Sequence, residues 1–215
     1  MKIDLHVHSY YSADSSITPE ELVFYAKKRG LDGVAVTDHE SLDGALKIAK
    51  EADFLIVPGM EVAAVGGHVV GLGLRQPVAS HLGVDETVDR IHRSGGIAVA
   101  CHPTGFLKGG LGSRVSSGFD AVEVINSSAI PFGYSVKRNE RIASALGKPR
   151  VAGSDAHYGP EIGLAYTLVN AESNVEEVVK AISKGLCQPF GGATPLSLRL
   201  RKMIAVHMKK SQMRK

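Results

Sequence analysis

The chain alternates short apolar runs with longer amphipathic stretches from its first residues onward. Between Lys2 and Val7, the side chains of Ile3, Leu5 and Val7 fall on one face and Asp4 and His6 on the other. His8 continues the polar series, and a period of two predicts a strand. Thr18-Pro19-Glu20-Glu21 supplies an N-cap, a proline at the first helical position and the acid of a capping box. Leu22, Tyr25 and Ala26 then give a helical stripe that Gly30 ends. The unit recurs along the chain. Apolar runs predict strands at 33–37, 54–57, 69–72, 97–101, 121–125, 150–152 and 166–169, the second of these stopped by Pro58-Gly59. Helical periodicity appears at 42–52, 84–94, 134–146 and 175–183.

Strands that are apolar throughout and alternate with helices indicate an α/β fold with a parallel sheet. Seven or eight such units suggest a closed barrel rather than an open sheet. No linker or low-complexity stretch divides the 215 residues, and a chain of this length buries a core without disulfides. Its apolar fraction, 44%, is ordinary for a globular protein. Cys101 and Cys187 stand in no paired motif, which predicts no disulfide framework, and Cys101 reads as core packing. No run approaches the roughly 20 apolar residues of a membrane helix, and the first residues lack the pattern of a signal peptide. The expectation is a cytoplasmic protein without membrane contact.

The formal net charge is +3, and much of the excess sits in residues 199–215 as Arg199, Arg201, Lys202, Lys209, Lys210, Arg214 and Lys215, with no acid among them. We divide the chain into a domain at 1–195 and a basic C-terminal helix or tail at 196–215. Such a segment is most simply a solvated face, and a nucleic-acid contact is its sharper reading.

The histidines and acids change the picture most. His6 and His8 end the first predicted strand, and Asp38 and His39 follow the second. Glu61 follows the third, and His102, Asn126, Asp155 and His157 follow later ones. His68 precedes its strand, an exception in direction. In a parallel barrel the C-terminal strand ends share one rim, so residues spread over 150 positions converge. Both imidazoles of an H-x-H on a strand face the same way. Five histidines with Asp14, Glu61 and Asp155 exceed the needs of one tetrahedral ion and fit two or three divalent ions, zinc, manganese or iron. Water bound there loses its proton near neutral pH and becomes a nucleophile. Asp4 and Asp38 are read as carboxylates that take the second N–H of a ligating imidazole. His81, His92 and His207 read as structural and stay outside the set.

These residues resemble the PHP family, named for polymerase and histidinol phosphatase. The resemblance rests on Asp4-Leu5-His6-Val7-His8-Ser9 with Ser12-Ala13-Asp14-Ser15, on Val36-Thr37-Asp38-His39, and on Pro58-Gly59-Met60-Glu61 with Gly67-His68-Val69-Val70-Gly71. Cys101-His102-Pro103 and Gly153-Ser154-Asp155-Ala156-His157 complete it. It implies a distorted TIM-like (β/α)7 barrel of PHP type. It implies one ion on His6, His8, Glu61 and Asp155, a second on Glu61 and His102, and a third on Asp14, His39 and His157. The attacking group would be a metal-bound hydroxide at the cluster of His6, His8, Glu61, His102 and Asp155. The second ion usually takes a further ligand after the next strand, often histidine; Asn126 stands there and is a weak ligand. His68 is open between ligand, partner of a ligand and phosphate contact.

Lys108 and Arg114, in the glycine-rich stretch after His102, are candidate substrate contacts, weighed against a plain surface loop. The function implied is hydrolysis of a small phosphomonoester or nucleotide phosphate. Alternatives are a phosphodiesterase or exonuclease on short nucleic acid, which only the basic C-terminus supports, and a non-catalytic PHP-like interaction module. A metal-dependent amidohydrolase also uses H-x-H on a barrel, but no lysine stands at a strand end to bridge its metals.

Overall fold

The computed structural model describes residues 1–105 and 109–212. Nine strands are found among them, β1 (Lys2–Val7), β2 (Gly33–Val36), β3 (Leu55–Ala64), β4 (Gly67–Leu72), β5 (Ile97–Ala100), β6 (Ala121–Asn126), β7 (Arg150–Gly153), β8 (Ala165–Val169) and β9 (Cys187–Gly191). The helices are α1 (Pro19–Lys28), α2 (Asp43–Glu51), α3 (Val84–Arg93), α4 (Phe132–Leu146), α5 (Val175–Ser183) and α6 (Leu196–Gln212). One sheet runs β7-β6-β5-β4-β3-β2-β1-β8-β9. It curls until β7 meets β1: the N–H of Asp155 donates to His6 O at 2.8 Å and the N–H of His8 donates to Ala156 O at 2.9 Å. Strands β1 to β7 thus make a nearly closed barrel, with β8 and β9 as an antiparallel flange on β1.

The barrel is an α/β fold of TIM-like type, but its sheet is mixed, which corrects the all-parallel expectation. Parallel pairing joins β1–β2, β2–β3, β5–β6 and β6–β7, while β3–β4 and β4–β5 are antiparallel. A tight hairpin replaces the helix between β3 and β4, because β3 does not stop at Pro58-Gly59. Proline has no N–H to give a ladder, and here it marks a change of neighbour. Pro58 closes the register with Val36 of β2, and Gly59 opens the register with Leu72 of β4.

Helix α1 starts as its sequence dictates, with Thr18 and Glu21 forming both bonds of the capping box. One apolar cluster packs Leu22 and Ala26 of α1, Ala45 and Ile48 of α2 and Val88 and Ile91 of α3 against outward residues of the barrel such as Val34, Val36 and Val122. A second cluster gathers Leu5, Ala35, Val57, Val70, Val99, Cys101 and Val151 with Val178 and Ile182 of α5. Its members alternate with those of the first along β2 and β5, so they fill the barrel. Strand β9 escaped the sequence reading because it is a short edge strand carrying Pro189 and pairs with β8 alone. No described helix is long and apolar enough to cross a membrane.

Candidate metal centre

Five imidazoles surround one carboxylate. His6 Nε2, His8 Nε2 and His39 Nδ1 lie 3.2, 3.1 and 3.3 Å from Oε2 of Glu61. His68 Nδ1 and His102 Nε2 lie 2.8 and 2.9 Å from its Oε1. Asp155 Oδ1 approaches His8 Nε2 and His157 Nδ1, each at 3.5 Å. Asp14 Oδ2 stands 3.4 Å from His39 Nε2 and 3.2 Å from His157 Nε2. The eight residues expected as ligands are therefore brought together, and His68 joins them.

Strand direction explains how. β4 runs against its neighbours, so its first residues, not its last, reach the common rim, and His68 pairs with Ala63 near the end of β3. That accounts for its exceptional place in the sequence. The register of β1 shifts between Asp4 and Val7, a bulge that re-aims the side chains of the H-x-H. Glu40, His102 and Asp155 adopt φ of 58°, 30° and 55°. Non-glycine residues rarely occupy that region, and such strain gathers at functional sites.

The arrangement fits bound cations. A carboxylate offers about four lone-pair sites and a neutral imidazole has one N–H, so five rings around two oxygens cannot all be satisfied as donors. His6 Nε2 and His8 Nε2 also face each other at 3.2 Å. Asp14 Oδ1 and His102 Nδ1 are buried without a hydrogen-bond partner. Burial alone would raise the Glu61 carboxyl, yet the surrounding imidazoles hold it well below the usual range. Burial pulls His8 down, but Asp155 and Glu61 outweigh it and raise the imidazole to about 9. Atoms of His6, His8 and Glu61, of His39, Glu61 and His68, of His8, His39 and His157, and of Glu61, Cys101 and His102 each lie within 4.8 Å of one another. Imidazole and carboxylate donors at these separations could hold divalent ions.

The supporting carboxylates are not the expected ones. Asp4 takes no imidazole N–H; it accepts the backbone N–H groups of His6, Ser154 and Gly163 at 3.3, 2.8 and 2.8 Å. Burial still raises its carboxyl to about 6. Asp38 likewise serves the loop after His8, accepting from the N–H and hydroxyl of Ser9 and the hydroxyl of Ser12. Both carboxylates are taken up by backbone and hydroxyl donors from chain segments distant in sequence.

The carboxylate that does take an imidazole N–H is Glu123, which sequence reasoning missed. Its Oε1 meets His6 Nδ1 at 3.0 Å, and its Oε2 accepts from His102 N at 2.8 Å and Asn126 Nδ2 at 2.9 Å. The available signal was an acid inside an otherwise apolar strand, AVEVIN. Asn126 points its amide nitrogen at Glu123 and at Asp155 Oδ2, 3.4 Å away, while its Oδ1 accepts the N–H of Ser128. Both ends of that amide are occupied by protein groups.

His39 and His68, with side chains 31% and 29% exposed, flank the opening of a site in which His6, His8, Glu61, His102 and Asp155 are buried. Gly109 crosses His68 so closely that a Cβ there would come 2.9 Å from the ring. Lys108 lies outside the described residues. Arg114 is exposed and its guanidinium lies against Gly66, at the turn between β3 and β4. His92 pairs at 2.7 Å with Asp120, away from the cluster. Two of the C-terminal basic residues turn inward. Arg199 donates to the carbonyls of Thr194, Ser127 and Ser128, and Lys202 pairs with Glu161. The outer face of α6 carries Leu196, Leu200, Met203, Ile204 and Met208, each more than half exposed. Arg214 and Lys215 lie outside the described residues.

A barrel whose strand ends collect imidazoles and carboxylates at one rim defines a class of protein built to hold cations. Residues 4–127 match the model of the PHP domain and residues 133–187 match one described as PHP-associated, and the chain belongs to the PHP family. It is 35% identical over 141 residues to an uncharacterized protein of Methanocaldococcus jannaschii, covering 59% of this chain and 82% of that one. A second uncharacterized protein of the same organism is 30% identical over 191 residues, covering 82% of this chain and 73% of the other. Among solved structures, a two-domain protein of Bacteroides vulgatus, described as containing a predicted PHP-like metal-dependent phosphoesterase, superposes with a TM-score of 0.72 at 17% identity. That match covers 89% of this chain and 65% of the other and speaks to the fold.

Proposed function

We propose that this chain hydrolyses phosphate monoesters of small substrates, using divalent cations held by His6, His8, Asp14, His39, Glu61, His102, Asp155 and His157. The observation that carries the reading is the gathering of five imidazole nitrogens within 3.3 Å of the Glu61 carboxylate. His68 completes the set on the Oε1 side, where both ends of the Asn126 amide are already engaged. Cations bound there supply Lewis acidity toward phosphoryl oxygens and lower the pKa of bound water.

The remaining work falls to the chain's own groups. Glu123 and the carbonyl of Asp155 engage Nδ1 of His6 and of His157, which fixes their tautomers and turns Nε2 of each ring to the cluster. Asp38 anchors the loop that carries Asp14 and, through the Ser12 hydroxyl, the backbone N–H of His39. The half-buried rings of His39 and His68 border the opening, together with the Asp14 carboxylate, whose side chain is 44% exposed, and these groups are placed to meet an incoming phosphate. A phosphate ester carries negative charge and hydrogen-bond acceptors, which suits this imidazole-lined mouth.

Cleavage of nucleic-acid diesters ranks second. It rests on the basic C-terminus, and Arg199 and Lys202 spend their charge on the barrel instead. The direct comparison is 4-nitrophenyl phosphate against bis(4-nitrophenyl) phosphate, with protein loaded in turn with Mn²⁺, Zn²⁺ and Fe²⁺. Turnover of the monoester, lost in His6→Ala/His8→Ala, is expected. Preference for the diester would favour the second reading, and metal-loaded protein inert toward both would make the chain a binding module.

A further inference from the structure

Cys101 follows β5 and belongs to the apolar cluster that fills the barrel. Only 1% of its surface is exposed. Its Sγ lies 3.8 Å from Glu61 Oε1, the oxygen that also meets His102 Nε2 at 2.9 Å and His68 Nδ1 at 2.8 Å. Sγ further approaches the His68 carbonyl at 3.3 Å. The thiol therefore forms the floor of the half of the cluster that lacks a ligand from β6.

The geometry there suits coordination. A tetrahedral centre with a Zn–S bond of about 2.3 Å and a Zn–O bond of about 2.0 Å has an S···O edge of roughly 3.5 Å. The observed separation of Sγ from Oε1 is 3.8 Å. Sγ, Oε1 and His102 Nε2 all lie within 4.8 Å of one another. Beside them, His102 keeps a second ring nitrogen buried with no partner.

We propose that Cys101 is a thiolate ligand, sharing with His102 and Glu61 a nitrogen, oxygen and sulfur site for one cation. This rests on the reading of the cluster as a metal centre. On binding, the S–H bond breaks, its proton passes to solvent and a metal–sulfur bond forms; no oxidant or reductant takes part. Thiolate is a soft donor, so this position favours zinc over manganese or magnesium more strongly than the imidazole and carboxylate remainder of the cluster does.

Cobalt tells the two claims apart. Metal-free protein is titrated with Co²⁺ to saturation and its absorption recorded. Visible ligand-field bands report cobalt on the imidazole and carboxylate cluster, and a near-ultraviolet sulfur-to-cobalt charge-transfer band reports Cys101. Both are expected, and Cys101→Ser should erase the second while keeping the first. Its zinc affinity at this position should fall by at least the roughly 10–100-fold that loss of a supporting partner costs. Zinc-edge absorption of the unaltered protein, which needs no variant to fold, should show sulfur at about 2.3 Å. Ligand-field bands without charge transfer, or a zinc shell without sulfur, would overturn the proposal and leave the metal centre standing. Protein that takes up no cobalt would overturn both.

Discussion

Lys202 on α6 sets its ammonium 3.1 Å from Oε1 of the buried Glu161, an ion-pair contact outside hydrogen-bond geometry, and the other oxygen of Glu161 accepts the backbone N–H of His157 at 3.1 Å. A basic helix thereby reaches a residue of the cluster through one carboxylate. Arg199, a turn earlier, holds the carbonyls of Ser127 and Ser128 beside Asn126. The helix works as a strap over two of the loops that carry the site.

Lys202→Ala should therefore destabilise the protein. It leaves a carboxylate that is 1% exposed without its cation. Breaking a fully buried pair costs roughly 3–5 kcal/mol, and the partly exposed lysine brings the expectation down to about 2 kcal/mol. Urea denaturation measures it. The double variant Lys202→Met/Glu161→Gln should recover much of the loss, and equal instability in both would show that the pair is not the cause.

Glu123→Gln tests the partner that holds His6. The glutamine keeps the shape but not the charge, so metal affinity should fall about 10–100-fold while the fold persists. Competition against a chromophoric chelator gives the ratio, and an unchanged affinity would remove Glu123 from the site's support.

Much of this was legible in the chain. The strand of β1, the capping box of α1 and the bounds of α5 follow from alternation and helix signals that are local. The ligands at strand ends follow from one rule of barrel geometry. What could not be read depended on contacts between distant segments. Pro58 looks like a stop until β2 and β4 are both present to share β3. The reversal of β4, and so the place of His68, is a matter of pairing and not of composition. Asp4 and Glu123 are both acids on strands, and only the crossing of β1, β6 and β7 decides which of them meets an imidazole.

Gly153→Ala addresses how tightly that crossing is packed. A Cβ there would collide with His6 Cβ and stand 2.8 Å from Glu123 Oε1 and 2.9 Å from His6 N. Overpacking of this kind costs about 1–3 kcal/mol. Because the displaced atoms belong to the metal centre, the variant should lose metal affinity along with thermal stability; a loss of stability alone would place the strain elsewhere.

The pH dependence of metal uptake follows from the raised imidazole of His8. Without metal its folded value is about 9, above its ordinary value of 6.5. A raised histidine contributes stability that is complete below the unfolded value and fades as pH climbs through the folded one. Metal-free protein should thus lose melting temperature from neutral pH toward about 9, and metal affinity should rise over the same interval as the proton leaves. Calorimetric titration in buffers of different ionisation heat should detect proton release at neutral pH. Heats independent of buffer would contradict it.

The central claim is that Glu61 joins cations which distant strands bring to one rim. Metal content per chain, measured by inductively coupled plasma mass spectrometry after loading and gel filtration, tests it most directly in the unaltered protein and in Glu61→Gln. More than one divalent ion per chain is expected in the first and a loss of most of them in the second. An unaltered protein that retains no ion, or a variant that retains them all, would contradict it.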